Sequence, residues 1–310
     1  MKEDDSSLKP AELRAVEERA RQSLDKAAAW GRFPTPVEDI VSAAKLRVAS
    51  KGLFDPERLL AFAKQKTANA LFAVKTALSK ILGLYDANEQ IIHIDESVGL
   101  SKQQFLKLHE TGHHELPAHR KIFTFFQDCE KSLAPEIADQ FEREANNFAR
   151  YALFQGATFG KLAADMPLGI KSPINLAKKF GASNYASLRE FARTNHRPCL
   201  VYVLEPIQFA PGRSASAVVR RIETSPSFEE RFGRPTDQLI DSKHALFSLL
   251  PIGRKMIKPT TLIYGDKNGD KHECLGEAFD TTYNVLLLIY PVKALNATGI
   301  IVPAGHLSLF

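Results

Sequence analysis

The chain has 310 residues, 44% of them hydrophobic and 25% charged. That length suits two domains, and those fractions are globular, which argues against a disordered or fibrous protein. The formal charge of +5 comes from basic residues scattered along the sequence, a pattern of solvated surface more than of a nucleic-acid face.

Three cysteines, Cys129, Cys199 and Cys274, are widely spaced with no CxxC pair, so neither a disulfide framework nor a cysteine zinc site is expected. The opening MKEDDSSLKP is charged and lacks the apolar centre of a secretory signal. No run approaches the ~18 apolar residues of a membrane span. A cytoplasmic protein without membrane contact is the expectation.

Residues 10 to 30, rich in Ala, Glu and Arg, predict a helix broken by Gly31 and Pro34. Pro36 starts a second, with Val37, Ile40, Val41 and Ala44 at helical spacing. More helix is expected over 56–82. In GLYDANEQIIHID, Leu84–Asp86 and Gln90–Ile94 predict two short strands around an Ala87-Asn88 turn. Ser101 and Gln104 have capping-box spacing at the start of a helix that Pro117 limits. Another helix is predicted from about Pro135 to Phe154, with Ile137, Phe141, Ala145, Phe148 and Ala152 as its buried stripe and Gly156 as its stop. Helices near 174–180 and 185–194 follow. Beyond Cys199, CLVYVLEP, TTLIYG and NVLLLIYPV read as strands, with PSFEERFGRPTD as a loop between the first two. A domain boundary is placed near residue 200.

The chemistry concentrates in His109-Glu110-Thr111-Gly112-His113. Histidines at i and i+4 lie on one helical face, and both imidazoles can reach one tetrahedral Zn²⁺ at ~2.0–2.1 Å. The adjacent Glu110 can accept a proton from a metal-activated water and return it to a leaving amine. Such a site needs one more protein ligand. Glu142 and Glu144 flank the stripe of the 135–154 helix almost symmetrically. Glu142 is preferred because it lies toward the small residues Ala138, Ala145 and Ala149, with Asn146 one turn on as its orienting partner; Glu144 is the alternative. His119, six residues after His113, has the spacing of HExxHxxGxxH. Leu116 and Pro117 stand where that pattern turns on glycine, so His119 is read as a loop histidine near the cleft. His114 faces another side and is not expected as a ligand. Tyr85 is a further candidate, as an oxyanion donor, on proximity alone.

In order, PTPVEDIVSAA, GLYDANEQIIHID, LHETGHHELPAH and EREANNFA resemble the ImmA/IrrE family of metallopeptidases, over about residues 30 to 200. The resemblance implies an α+β chain. A mainly helical, gluzincin-like metallopeptidase domain with a small β-sheet occupies residues 1–200, and a smaller α/β domain, sensory or regulatory, occupies 201–310. It also implies His109 and His113 as zinc ligands, Glu110 as base and Glu142 as third ligand. The implied substrate is a protein regulator of the helix-turn-helix repressor class, cleaved after stress or in mobile elements. Where the family often has Leu-Met-Pro, this chain has YALFQGATFG.

A competing reading is a DNA-binding or interaction protein with a structural or vestigial metal site. Residues 174–195 could form a helix-turn-helix whose Lys178, Lys179, Arg189 and Arg193 face phosphates. Asp266, Asn268, Asp270 and Glu277 fall on calcium-loop positions, but Lys271 replaces the required glycine, and an Asn268-Gly269 hairpin is the better reading.

Overall fold

The computed structural model describes residues 7–49, 83–86, 90–94, 97–119, 135–209 and 214–296. They form two compact units, one from residues 1–158 with 178–183 and one from 159–177 with 184–310. The architecture is α+β. The helix expected over 56–82, the Ala87-Asn88 turn and Cys129 lie outside the described residues.

The first unit begins with α1 (Pro10–Lys26) and α2 (Val37–Ala43). The sequence let α1 run to residue 30, but it ends at Lys26, followed by Ala28 at φ 47°. Strands β1 (Arg47–Val48), β2 (Gly83–Asp86) and β3 (Ile91–Ile94) form a sheet of order β1-β3-β2, with β3 parallel to β1 and antiparallel to β2. Helix α3 (Leu100–Glu115) packs against this sheet and against α4 (Pro135–Leu153). The expected capping box is absent. Gly99 is the N-cap, so Ser101 already has helical backbone and cannot serve as the cap.

Two features let α3 and α4 approach. A Cβ at Gly112 would lie 3.2 Å from the Phe148 ring and its Cβ, so a larger residue there would force Phe148 to shift. Opposite it, Ala145 and Ala149 are fully buried small residues. Phe141, Phe148 and Ala152 line the buried face of α4 as the periodicity requires, but Ile137 is exposed, one turn too early to be covered. The end of α4 is tied down by Gln155, which is buried at φ 50°. Its Nε2 donates to the Arg32 carbonyl and Thr35 Oγ1, its Oε1 accepts from Gly31 N–H, and Thr35 Oγ1 donates to the Leu153 carbonyl. Buried polar groups satisfied this fully fix the α1–α2 connection against the C-terminus of α4.

The second unit holds most of α5 (Thr158–Ala164), the start of α6 (Lys171–Phe180), and α7 (Asn184–Thr194). It continues with β4 (Leu200–Leu204), β5 (Ala217–Thr224), α8 (Pro226–Phe232), β6 (Leu239–Ile240), β7 (Met256–Gly265), β8 (Lys271–Asp280) and β9 (Val285–Pro291). The sheet order is β6-β5-β4-β9-β8-β7, with every pair antiparallel. Strands β4 and β9 are central and buried along their whole length, which is why they read as unbroken apolar runs. Leu200, Tyr202, Leu204, Leu287 and Ile289 pack on one face with Phe228 and Phe232 of α8. Helix α7 packs against β4 and β5.

PSFEERFGRPTD is not all loop: its first seven residues form α8, with Ser225 Oγ accepting from Phe228 N–H and Pro226 at the first helical position. The 266–270 segment is a hairpin turn, as the glycine suggested. Gly269 has φ 85°, and Asp266 accepts from the backbone N–H groups of Asn268 and Asp270 and from His272. Among the described residues, no helix is long and apolar enough to cross a membrane.

Candidate metal centre

The C-terminal half of α3 is enclosed on every side: Leu108 through His114 are all buried. Burying Glu110, two site histidines and a third histidine in one stretch is unfavourable unless each finds a partner. His109 Nδ1 lies 3.0 Å from Asn146 Oδ1. An amide oxygen only accepts, so a proton sits on His109 Nδ1, and Nε2 is the nitrogen left to face Glu142 or a metal. Thr111 Oγ1 donates back to the Lys107 carbonyl.

The two Nε2 atoms face each other at 3.1 Å. Glu142, half-buried on α4, places Oε2 at 3.3 Å from His109 Nε2 and Oε1 at 3.5 Å from His113 Nε2. His109, His113 and Glu142 thus present three donor atoms within 4.8 Å of one another. Ligands at ~2.0–2.1 Å around a tetrahedral ion stand about 3.3–3.4 Å apart, so the three spacings suit a divalent cation held between them.

The electrostatics agree. Burial pulls His109 down, yet the carboxylates of Glu142 and Glu110 and the Asn146 contact outweigh it and hold His109 above its ordinary value. Burial and the neighbouring His109 push His113 down to about 4, against the pull of Glu142. Burial alone would raise Glu142, but both histidines hold it well below the usual carboxylate range.

The remaining candidates fall elsewhere. Glu144 sits beside His119, Oε2 to Nε2 at 2.8 Å, and accepts from Gln140 Nε2 at Oε1. Burial raises Glu144, and His119 and Gln140 bring it below its ordinary value. His119 is not a loop histidine. After the extended residue Leu116 the chain is helical again at 117–119, and His119 is fully buried, stacked on Phe141 at 3.9 Å with its Nδ1 3.0 Å from His113 Nδ1. Asn146 contacts His109 where sequence reasoning paired it with Glu142. His114 is buried outside the three-residue cluster. Tyr85 lies in β2, whose side chains are outside the described residues.

The arginines of the DNA-binding reading are spent inside the second unit. Arg189 Nε and Arg193 Nε donate to the two oxygens of Glu223, and Arg189 is buried. Neither is available to face a phosphate.

Residues 70–189 match the family model described as the IrrE N-terminal-like domain, Peptidase_M78. This stretch is similar to the IrrE N-terminal-like domain. It contains His109, Glu110, His113 and Glu142, and the match supports a metallopeptidase-type site there. No curated protein matches the sequence. Among solved structures, a Mycobacterium tuberculosis transcriptional regulator is 12% identical with a TM-score of 0.38, over 88% of this chain and 80% of its own. A likeness of that degree decides nothing about fold or activity.

Proposed function

We propose that the IrrE N-terminal-like domain is a zinc-dependent endopeptidase acting on a protein regulator of the helix-turn-helix repressor class. The observation that carries the reading is the convergence of His109 and His113 of α3 with Glu142 of α4, beside the buried Glu110. Imidazole and carboxylate donors with an open fourth position suit Zn²⁺. Bound there, zinc supplies Lewis acidity for the scissile carbonyl and lowers the pKa of water towards ~7. Glu110 takes the proton from the attacking water. It then delivers that proton to the amine leaving as the C–N bond breaks. His109, His113 and Glu142 keep their geometry throughout.

The substrate class rests on the resemblance in LHETGHHELPAH and EREANNFA. Within this reading residues 1–200 are the peptidase part, residues 201–310 are regulatory, and the protein works in the cytoplasm. The test uses a repressor encoded beside this chain. Wild type is expected to cleave it, and Glu110→Gln to keep its zinc and lose at least ~100-fold in rate, the scale of general-base catalysis. A Glu110→Gln variant that cleaves at the wild-type rate contradicts the mechanism. A chain cut before residue 201 whose activity responds to stress in cells as the full chain does would sink the regulatory assignment.

A further inference from the structure

His119 is buried, held against Phe141 and in contact with a site histidine, yet it lies outside the three-residue cluster. Its two ring nitrogens are both engaged, Nδ1 with His113 Nδ1 and Nε2 with Glu144 Oε2. A neutral imidazole has one donor and one acceptor nitrogen, and a carboxylate only accepts. Starting from Glu144, His119 must therefore carry its proton on Nε2. Its Nδ1 is then an acceptor, and His113 must donate from Nδ1. That leaves His113 Nε2 bare and aimed at His109 and Glu142. With His119 neutral, the chain of bonds runs in one direction, from His113 through His119 to Glu144, with Gln140 donating to the second carboxylate oxygen. Its stacking on Phe141, with planes 17° apart, fixes the His119 ring.

We propose that His119 is a positioning residue, with Glu144 behind it, that sets the tautomer of His113 and raises the affinity of the centre for a divalent metal. The proposal rests on the metal-centre reading above. Partners of this kind behind a ligating histidine typically contribute 10–100-fold in metal affinity. His109 Nδ1 meets the neutral amide of Asn146, whereas His113 Nδ1 leads through His119 to the Glu144 carboxylate, so the two histidines are not equivalent.

The experiment is a zinc titration of the full chain against a chromophoric chelator at fixed pH, with Co²⁺ absorption as a spectroscopic readout and urea unfolding of the metal-free proteins as control. His119→Ala is expected to bind zinc 10–100-fold more weakly than wild type. His119→Gln, whose amide can accept from His113 and donate to Glu144, is expected to recover most of that loss. Glu144→Gln keeps an acceptor oxygen without the charge and should fall between. Wild-type affinity in His119→Ala, whatever its change in unfolding midpoint, overturns the proposal. Should His119→Ala fail to fold, wild-type affinity in both His119→Gln and Glu144→Gln overturns it. Wild type that binds no zinc overturns the metal centre and the relay together, whereas tight wild-type binding with unchanged variants removes the relay alone.

Discussion

Glu142 and Glu144 are two residues apart on one helix, and they do different things. Glu142 meets both Nε2 atoms of the histidine pair, while Glu144 meets His119. Helical periodicity puts both at the edge of the same stripe, so the pattern of apolar residues could not separate them. What separates them is His119, whose place depends on a single extended residue, Leu116, and a restart at Pro117. Pro117 reads as a helix end in the sequence, which places His119 in a loop, whereas the chain is helical again at 117–119 and His119 is buried. The histidine pair itself was legible because i, i+4 spacing fixes the face without further information.

The unequal proton affinities of the pair have a consequence at the same scale. Metal displaces a proton from each protonated ligand it takes. His109 is held above its ordinary 6.5 and His113 is pushed to about 4, so only His109 is protonated between these values. Zinc affinity is expected to be constant above the raised His109 value. Below it, down to about pH 5, affinity should fall with the slope of one proton, close to tenfold per pH unit. Chelator-competition titrations at several pH values check this. A slope of two protons, or a flat profile from pH 8 to 5, would contradict the asymmetry.

At the level of elements, long helices and wholly buried strands were readable, and partly exposed or short ones were not. Strands β4 and β9 stood out as apolar runs, whereas β5 carries Arg220 and Arg221 and β8 alternates charged with buried residues, so neither had a strong signal. Helix α8 had its Ser-Pro start signal in the sequence, but its seven residues gave too little periodicity to outweigh the surrounding prolines and glycine. The link from α7 to β5 is the buried Arg189–Glu223–Arg193 cluster. Burial raises Glu223, and the two arginines more than reverse this, leaving it below its ordinary 4.5. A carboxylate depressed in the folded state contributes stability that is fully present above its unfolded value. That contribution is lost as pH falls through the folded value. Glu223→Gln leaves two arginines facing a neutral group and is expected to cost about 3 kcal/mol at pH 7. The deficit should begin to shrink below pH 4.5, where the unfolded wild-type chain takes up a proton at this carboxylate, and vanish as pH falls through the lower folded value. Urea unfolding at pH 7 and pH 4 measures both numbers, and an equal deficit at both pH values would contradict the charge argument.

For the whole molecule, composition indicated two globular parts and no membrane helix, and the described residues form two compact units. The units divide at 158 and 184 with an exchange of 178–183, where composition suggested one boundary near 200. Composition registers the change from helix-rich to strand-rich sequence, whereas compactness follows which side chains share a core, and α7 packs on β4 and β5. The reading of the molecule as a metallopeptidase depends on one small volume in the first unit, where three side chains from two helices meet. The most direct measurement is bound zinc per chain after loading and exhaustive removal of free metal, in wild type, His113→Ala and Glu142→Ala, each checked for folding by circular dichroism. We expect about one zinc in wild type and a loss of tight binding in both folded variants, since each removes one of the three protein ligands a catalytic zinc requires. Folded wild type that retains no zinc, or a Glu142→Ala variant that holds it as tightly as wild type, would contradict the centre described here.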